Sequence, residues 1–268
     1  MDLEQLCLSV VELSRRTGQF QKDEINKVGN ADVEEKGLHN FVTYVDKTCE
    51  KQIVNELQQL LPEAGFIAEE GTSDRKGERF NWVIDPLDGT TNYIHRIPLY
   101  SVSIALMDGA ETVLGVVYEP NLDECFYTWK GSPAFLNGKA IAVSPLSQMT
   151  KALLATGFPY YDYGRMKSYM DLFRYFAENT SGLRRLGTAA IDLAWTACGR
   201  CEGFYEYALH PWDVAAGALI VQNAGGKVTD FRGGKDYIFG GEMLASNNIL
   251  HDELLRSVKE YFPEKPAI

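Results

Sequence analysis

The pattern of apolar residues changes character at Ser144 and Pro145, and that change constrains the fold more than any other feature of the chain. Ahead of it, six short apolar runs follow one another, at residues 65–69, 80–85, 100–107, 112–118, 125–129 and 134–143. The turn dipeptides Asp108-Gly109, Glu119-Pro120 and Asn137-Gly138 separate several of them, which predicts a meandering, largely antiparallel sheet. Beyond it, strands are expected at 153–156, 183–186, 203–207, 227–230 and 243–246, and helices at 164–179, 188–198, 212–224 and 250–261. Such alternation is the α/β pattern. Two amphipathic helices precede the first sheet: Leu3, Leu6, Cys7, Val10, Val11 and Ser14 recur at helical spacing, as do Cys49, Ile53, Leu57 and Leu60 within residues 44–61. Val28–Asn40 between them, rich in Gly, Asn and charge, reads as a mobile loop. The expectation is two abutting halves, 1–145 and 146–268, with the boundary near 144–150.

Composition narrows the classes of function. The chain carries 26 Lys+Arg against 37 Asp+Glu, a net charge of −11 over 268 residues. That balance offers no basic stripe to a nucleic acid, so no nucleic-acid partner is expected. A phosphorylated small molecule stays compatible, because bound cations invert the local charge. The N-terminus is acidic, the apolar stretch Leu6–Val11 is too short for a signal peptide, and no run approaches the ~20 apolar residues of a membrane span. With five scattered cysteines, a cytoplasmic chain with no membrane partner is the expectation. Cys198 and Cys201 have the spacing of half a zinc or redox site, but no second pair follows; they read as incidental thiols near a helix end.

The chemistry gathers at residues 82–93. A buried strand, Trp82-Val83-Ile84, delivers Asp85 at its carboxyl end; Pro86 is expected to end the ladder and turn the chain. Asp88 follows close enough to share a cation with Asp85, and Gly89-Thr90-Thr91 begins a helical turn whose free N–H groups suit an anion. An ordinary Asp-Gly turn with Asp88 as a cap would use the same dipeptide, but carboxylates beside free amides are the pairing that phosphoryl transfer needs. Glu69, ending the run Gly65–Ala68, could be a solvated glutamate or could meet Asp85 at a common sheet edge. Asp213, just after Pro211 at a helix start, could serve the helix dipole or join the same cluster. Four such acids in one cleft require cations to remain ionised, and hard oxygen ligands select Mg2+. The four histidines show no ligand spacing, and no dinucleotide or Walker A string is present.

Residues 85–93 and 212–217, followed by Ala224-Gly225-Gly226, resemble the two signatures of the inositol monophosphatase family, Mg2+-dependent and lithium-sensitive phosphatases. Val42–Asp46, Glu69-Glu70 and Gly187-Thr188-Ala189 stand in the family's order. The resemblance implies a layered α-β-α-β-α sandwich, with an N-terminal mixed or antiparallel sheet half and a C-terminal α/β half. It implies that Glu69, Asp85 and the Leu87 carbonyl hold a first metal, that Asp85, Asp88 and Asp213 hold a second, and that Glu69 helps with a weaker third. Gly89 and Thr90 would cradle the phosphate, and the Thr90 hydroxyl, oriented by Asp46 and assisted by Glu69, would position or deprotonate the attacking water. Lys36 matches a loop lysine that approaches the metals, and Asp88, Gly187, Thr188, the amide of Ala189 and Glu206 fall at substrate positions. An inositol-1-monophosphatase acting by direct in-line attack of water, commonly a homodimer, is what the family implies. The alternatives are a sibling phosphatase of 3′-phosphoadenosine 5′-phosphate, fructose 1,6-bisphosphate or histidinol phosphate, or a relative with an added regulatory role. Asn40 and Asn223 depart from the residues many relatives carry, and Thr156–Pro159 looks like a bacterial-type variant of the substrate-side loop.

Overall fold

The computed structural model describes residues 1–37, 40–159 and 161–262, with the side chains of Asn30, Lys36 and Asn40 also outside the description. Helix α1 (Leu3–Glu24) is capped by Asp2, whose Oδ1 accepts the Gln5 amide at 3.1 Å. It runs ten residues past the apolar spacing that predicts it, because its second half buries the uncharged polar or small Thr17, Gly18 and Gln21 rather than apolar side chains. Gln21 Nε2 donates to the Pro86 carbonyl at 2.7 Å, tying the helix to the strand that carries the site.

The segment read as a mobile loop is a short 3-10 turn (Asn30–Asp32) followed by an antiparallel ribbon, β1 (Val33–Gly37) with β2 (Asn40–Thr43), pairing Val33 with Thr43 and Glu35 with Phe41. The charged residues of β1 hid the ribbon: Glu34 and Glu35 are exposed, so no alternation of apolar residues marks the strand. His39 lies outside the described residues. Helix α2 (Tyr44–Leu60) starts on a capping box, with the Val45 amide on Thr43 Oγ1 and the Thr43 amide on Asp46 Oδ2.

The first sheet holds seven strands in chain order: β3 (Gly65–Ala68), β4 (Phe80–Asp88), β5 (Ser101–Asp108), β6 (Glu111–Glu119), β7 (Glu124–Trp129), β8 (Phe135–Leu136) and β9 (Lys139–Ala140). Only β3 and β4 are parallel. The expected run at 134–143 is a two-strand hairpin, closed by Asn137 and Gly138, both at positive φ as a primed turn demands. Along β4 the side chains alternate between two buried faces: Trp82 and Ile84 pack with α1 and α2, Val83 on the opposite side.

The second sheet is ordered β11-β10-β12-β14-β13, built from β10 (Leu153–Thr156), β11 (Gly182–Arg184), β12 (Gly203–Tyr207), β13 (Lys227–Thr229) and β14 (Glu242–Ser246). Between the sheets lie α5 (Ala189–Ala197) and α6 (Pro211–Asn223), whose residues 214–221 are all buried, as expected of a helix covered on every side. Close packing depends on small residues: a Cβ on Gly115 of β6 would lie 2.8 Å from the Ala216 carbonyl oxygen. Helices α4 (Met166–Asn179) and α7 (His251–Tyr261) cover the outer face of the second sheet. The result is the layered α-β-α-β-α sandwich. No helix among the described residues is long and apolar enough to cross a membrane.

Candidate active site

The parallel register of β3 and β4 builds the site's edge. Ala68 pairs with Ile84, so the next residues along the two strands, Glu69 and Asp85, emerge side by side. The Glu69 amide donates to the Ile84 carbonyl at 3.2 Å, fixing the chain just past β3. Pro86 does not end β4. The strand bulges between Asp85 and Asp88 and regains its pairing at Asp88–Ser101, and a bulge is where a sheet accommodates proline. The bulge folds the Leu87 amide onto Asp85 Oδ1 at 2.9 Å.

Helix α3 (Thr90–Ile94) then begins from Gly89, whose φ of 96° lies in the left-handed region. A side chain there would be strained and would press on the Gly187 carbonyl at 3.3 Å. The Thr90 hydroxyl sits 3.1 Å from both Asp46 Oδ1 and the Leu87 carbonyl. Asp46 is fully buried, and its other oxygen is held by the Thr43 amide at 2.9 Å and hydroxyl at 2.6 Å. Burial raises the Asp46 carboxyl above its ordinary range, against those donors.

Two further helices present their N-termini to the same pocket. Thr188 caps α5, and Asp88 Oδ2 accepts both the Thr188 hydroxyl and the Ala190 amide, the latter at 2.8 Å. At α6, Pro211 is the first residue and Asp213 Oδ2 accepts the His210 amide at 2.7 Å. Asp213 therefore serves the helix end and faces the pocket at once.

One pocket is lined by Glu69, Asp85, Leu87, Asp88, Gly89, Thr90, Gly187, Thr188, Ala189, Glu206 and Asp213. Asp46 stands behind Thr90, and the Lys36 side chain is outside the described residues. Gly157 and Phe158 of the segment likened to the substrate-side loop line it, and Tyr161, Arg185 and Asp192, which sequence reasoning missed, line it too. Asp192 carried a usable signal: it is an acid within a nine-residue helix otherwise made mostly of buried apolar side chains. The closeness of Gly157 to Glu206 carried none, because it depends on a distant strand.

The electrostatics follow from burying acids together. Burial, then Glu69, Asp88 and Asp213, push the Asp85 carboxyl well above its usual range, against the Leu87 amide. Burial, Asp88, Glu69 and Glu206 do the same to Asp213, against the His210 amide. Burial lifts Asp88 to about 6 even though Thr188, Ala190 and Arg185 favour its charged form. Glu206 is lifted to about 8 by burial, with Arg185 opposing. Groups that cannot all ionise alone are the donor set for a hard cation. Among the described residues no three His, Cys, Asp or Glu side chains form a preformed cage. The acids line the walls of a common pocket instead. With carboxylates and one carbonyl and no thiolate or imidazole among them, the donors fit a hard divalent cation.

Fold and site together define a phosphatase of the layered α-β-α-β-α kind. Residues 2–262 match the inositol monophosphatase family, and the chain belongs to it. Members of that family are generally metal-dependent. The chain is 38% identical over 255 residues to the Nus factor SuhB of Pseudomonas aeruginosa, covering 93% of this chain and 94% of the relative. It is 37% identical over 259 residues to the fructose-1,6-bisphosphatase/inositol-1-monophosphatase of Thermotoga maritima, covering 95% and 96%. The solved structure of a Thermotoga maritima IMPase superposes with a TM-score of 0.87 at 36% identity, covering 96% of this chain and 98% of that one.

Proposed function

We propose that the chain is a Mg2+-dependent inositol-1-monophosphatase releasing phosphate by direct in-line attack of water. The observation that carries this reading is the convergence of Glu69 just past β3, Asp85 and Asp88 of β4 and Asp213 of α6 on one pocket that also receives Gly89 and Thr90 at the start of α3. We read residues 1–145 as the half that supplies Glu69, Asp85, Asp88 and Thr90, and 146–268 as the half that supplies Ala189, Glu206 and Asp213.

In this reading Glu69, Asp85 and the Leu87 carbonyl hold one cation, Asp85, Asp88 and Asp213 hold a second, and Glu69 helps with a third. Divalent ions held there supply charge stabilisation to the phosphoryl oxygens and lower the pKa of water. The chain's own residues do the rest. Amides at Gly89 and Thr90 take the phosphate at the start of α3. As the Thr90 oxygen takes a proton from the attacking water, its own hydroxyl proton passes along the hydrogen bond to Asp46 Oδ1. Glu69 stands beside Asp85 as a second acceptor for that water. Glu206 and Ala189 hold the alcohol, with the free oxygen of Asp88, since Asp88 Oδ2 is already engaged by α5. In this reading water attacks directly and no side chain becomes phosphorylated.

Two observations widen the substrate panel. The Thermotoga relative's name joins fructose-1,6-bisphosphatase to inositol-1-monophosphatase, and Arg185 puts a cation at the alcohol end. The test is phosphate release from inositol 1-phosphate, fructose 1,6-bisphosphate, 3′-phosphoadenosine 5′-phosphate and histidinol phosphate, with millimolar Mg2+ and with EDTA. The highest kcat/KM on inositol 1-phosphate, abolished by EDTA, is expected. Preference for another ester selects the sibling reading, and no turnover of any selects a regulatory role, in keeping with the name Nus factor SuhB given to the Pseudomonas relative. A homodimer is the proposed assembly, checked by light scattering.

A further inference from the structure

The alcohol end of the pocket contains one polar group that neither the fold nor the reaction described above uses. Asp192 is 1% exposed and lines the pocket, and its Oδ1 is buried with no hydrogen-bond partner among the described residues. An unmet buried oxygen is costly, so such groups in folded proteins call for an explanation, an absent ligand among them. Helix capping does not account for it. The start of α5 is already served by the Thr188 hydroxyl, which accepts the Ile191 amide at 3.4 Å, and by Asp88, which accepts the Ala190 amide. Packing does not account for it either, because Ile191, Leu193 and Ala194 beside it are buried apolar residues.

The neighbours of Asp192 point to a ligand. Glu206 of β12 and the Arg185 guanidinium are close enough to act on its charge. Bare backbone at Gly157 leaves room beside Glu206, where a Cβ would stand 2.0 Å from Oε1. Two carboxyl groups from different elements, with a guanidinium beside both, make a floor of acceptors at one end of the pocket.

We infer that Asp192 is a substrate-binding residue whose Oδ1 accepts a hydroxyl of the alcohol next to the one taken by Glu206. The two carboxyls thus read a pair of adjacent hydroxyls, and the substrate class is the phosphate monoester of a polyol. This rests on the inositol-phosphate reading and sharpens it.

The test compares inositol 1-phosphate with 4-nitrophenyl phosphate, which has no hydroxyl on its leaving group. Asp192→Ala should raise KM for inositol 1-phosphate roughly 10-fold or more with kcat little changed, and shift KM for the nitrophenyl ester less than about 3-fold. Asp192→Asn keeps an Oδ1 acceptor and should restore most of the affinity. Equal losses on both esters, or no loss on either, overturn the inference. If Asp192→Ala does not fold, wild-type enzyme with mono-deoxy inositol 1-phosphates decides: at least one deletion must raise KM by a similar factor, and none doing so overturns the inference. A wild-type protein that hydrolyses the nitrophenyl ester but not inositol 1-phosphate refutes the inositol reading and this inference together. That failure shows in the wild type, whereas failure of the Asp192 role alone shows only in the variants or the deoxy series.

Discussion

Replacing Gly157 by alanine tests the alcohol end of the pocket with a single methyl group. The backbone at Gly157 is one that alanine adopts, since it is not at positive φ. The cost is steric: the new Cβ would lie 2.0 Å from Glu206 Oε1, 2.2 Å from Cδ and 2.3 Å from Oε2, where ordinary contact begins near 3.4 Å. The carboxylate must therefore retreat by about 1.4 Å, the difference between 3.4 and 2.0 Å. The Glu206 backbone cannot absorb this, because β12 is paired with β10 on one side and with β14 on the other. A misplacement of this size at a reacting group costs about 10²-fold. Glu206 holds the alcohol rather than the reacting atoms in the proposed mechanism, so kcat/KM for inositol 1-phosphate should fall roughly 10- to 100-fold, mainly through KM. The nitrophenyl ester should change less than about 3-fold. Overpacking of about 1–3 kcal/mol should also lower Tm by several degrees, which scanning calorimetry would register. Unchanged selectivity between the two esters, in a variant with lowered Tm, would refute the placement of the alcohol against Glu206.

Three other outcomes follow from the same geometry. Asp85→Asn should cut turnover about 10³-fold or more while the metal-free protein keeps or raises its Tm, because a buried like charge is removed beside Glu69, Asp88 and Asp213; steady-state kinetics and calorimetry in EDTA check both halves. Thr90→Ala should lower kcat roughly 10²- to 10⁴-fold, with Thr90→Ser recovering most of it, since serine can still reach Asp46 Oδ1; equal loss in both variants contradicts the hydroxyl's role. His251 is fully buried between Thr229 and Ser246, and burial lowers its pKa to about 4. The unfolded imidazole titrates near 6.5, so the unfolded chain takes the proton first: stability is intact above pH 6.5 and falls as the pH drops toward 4. The loss should reach roughly 3 kcal/mol, and urea titrations of wild type and His251→Gln across that range should differ in slope.

How much of this was legible in the sequence depended on whether a signal was local. Pro211 acts on neighbours a few positions away, so the start of α6 could be placed from sequence, and Asn137-Gly138 was legible as a turn although the run expected at 134–143 spans it and is a hairpin. Glu69 and Asp85 were harder, since only the parallel pairing of β3 and β4 turns two distant strand ends into one edge. The second half of α1 was lost because its buried face is polar: Gln21 is fully buried for the sake of the Pro86 carbonyl, not for hydrophobic contact. Pro86 misled in the opposite direction, since a rule about regular ladders does not hold at a bulge. Glu50 went unread altogether. It is fully buried in α2, and its carboxylate accepts the Glu70 and Thr72 amides at 2.7 Å, holding the segment after Glu69 in place. Nothing near Glu50 in sequence announces partners twenty residues away.

The arrangement also resolves why a pocket walled by carboxylates can receive an anion. The starts of α5 and α6 open onto it through Thr188, Ala189, Trp212 and Asp213, and the first amides of α3 do so through Gly89 and Thr90. A helix start carries the equivalent of about half a positive charge. Two such ends offset only part of the six carboxyl groups that line it, so in the proposed reading the balance falls to cations held by Glu69, Asp85, Asp88 and Asp213 and to Arg185. Asp88 shows how closely the two tasks are joined, because the oxygen that fixes α5 belongs to a carboxylate that lines the pocket. Removing that carboxylate would loosen the helix and weaken the metal set together. Asp88→Asn, which can still accept from Thr188, should therefore separate them, sparing Tm while raising the Mg2+ concentration needed for half-maximal activity; an unchanged Mg2+ requirement would show that Asp88 serves the helix alone.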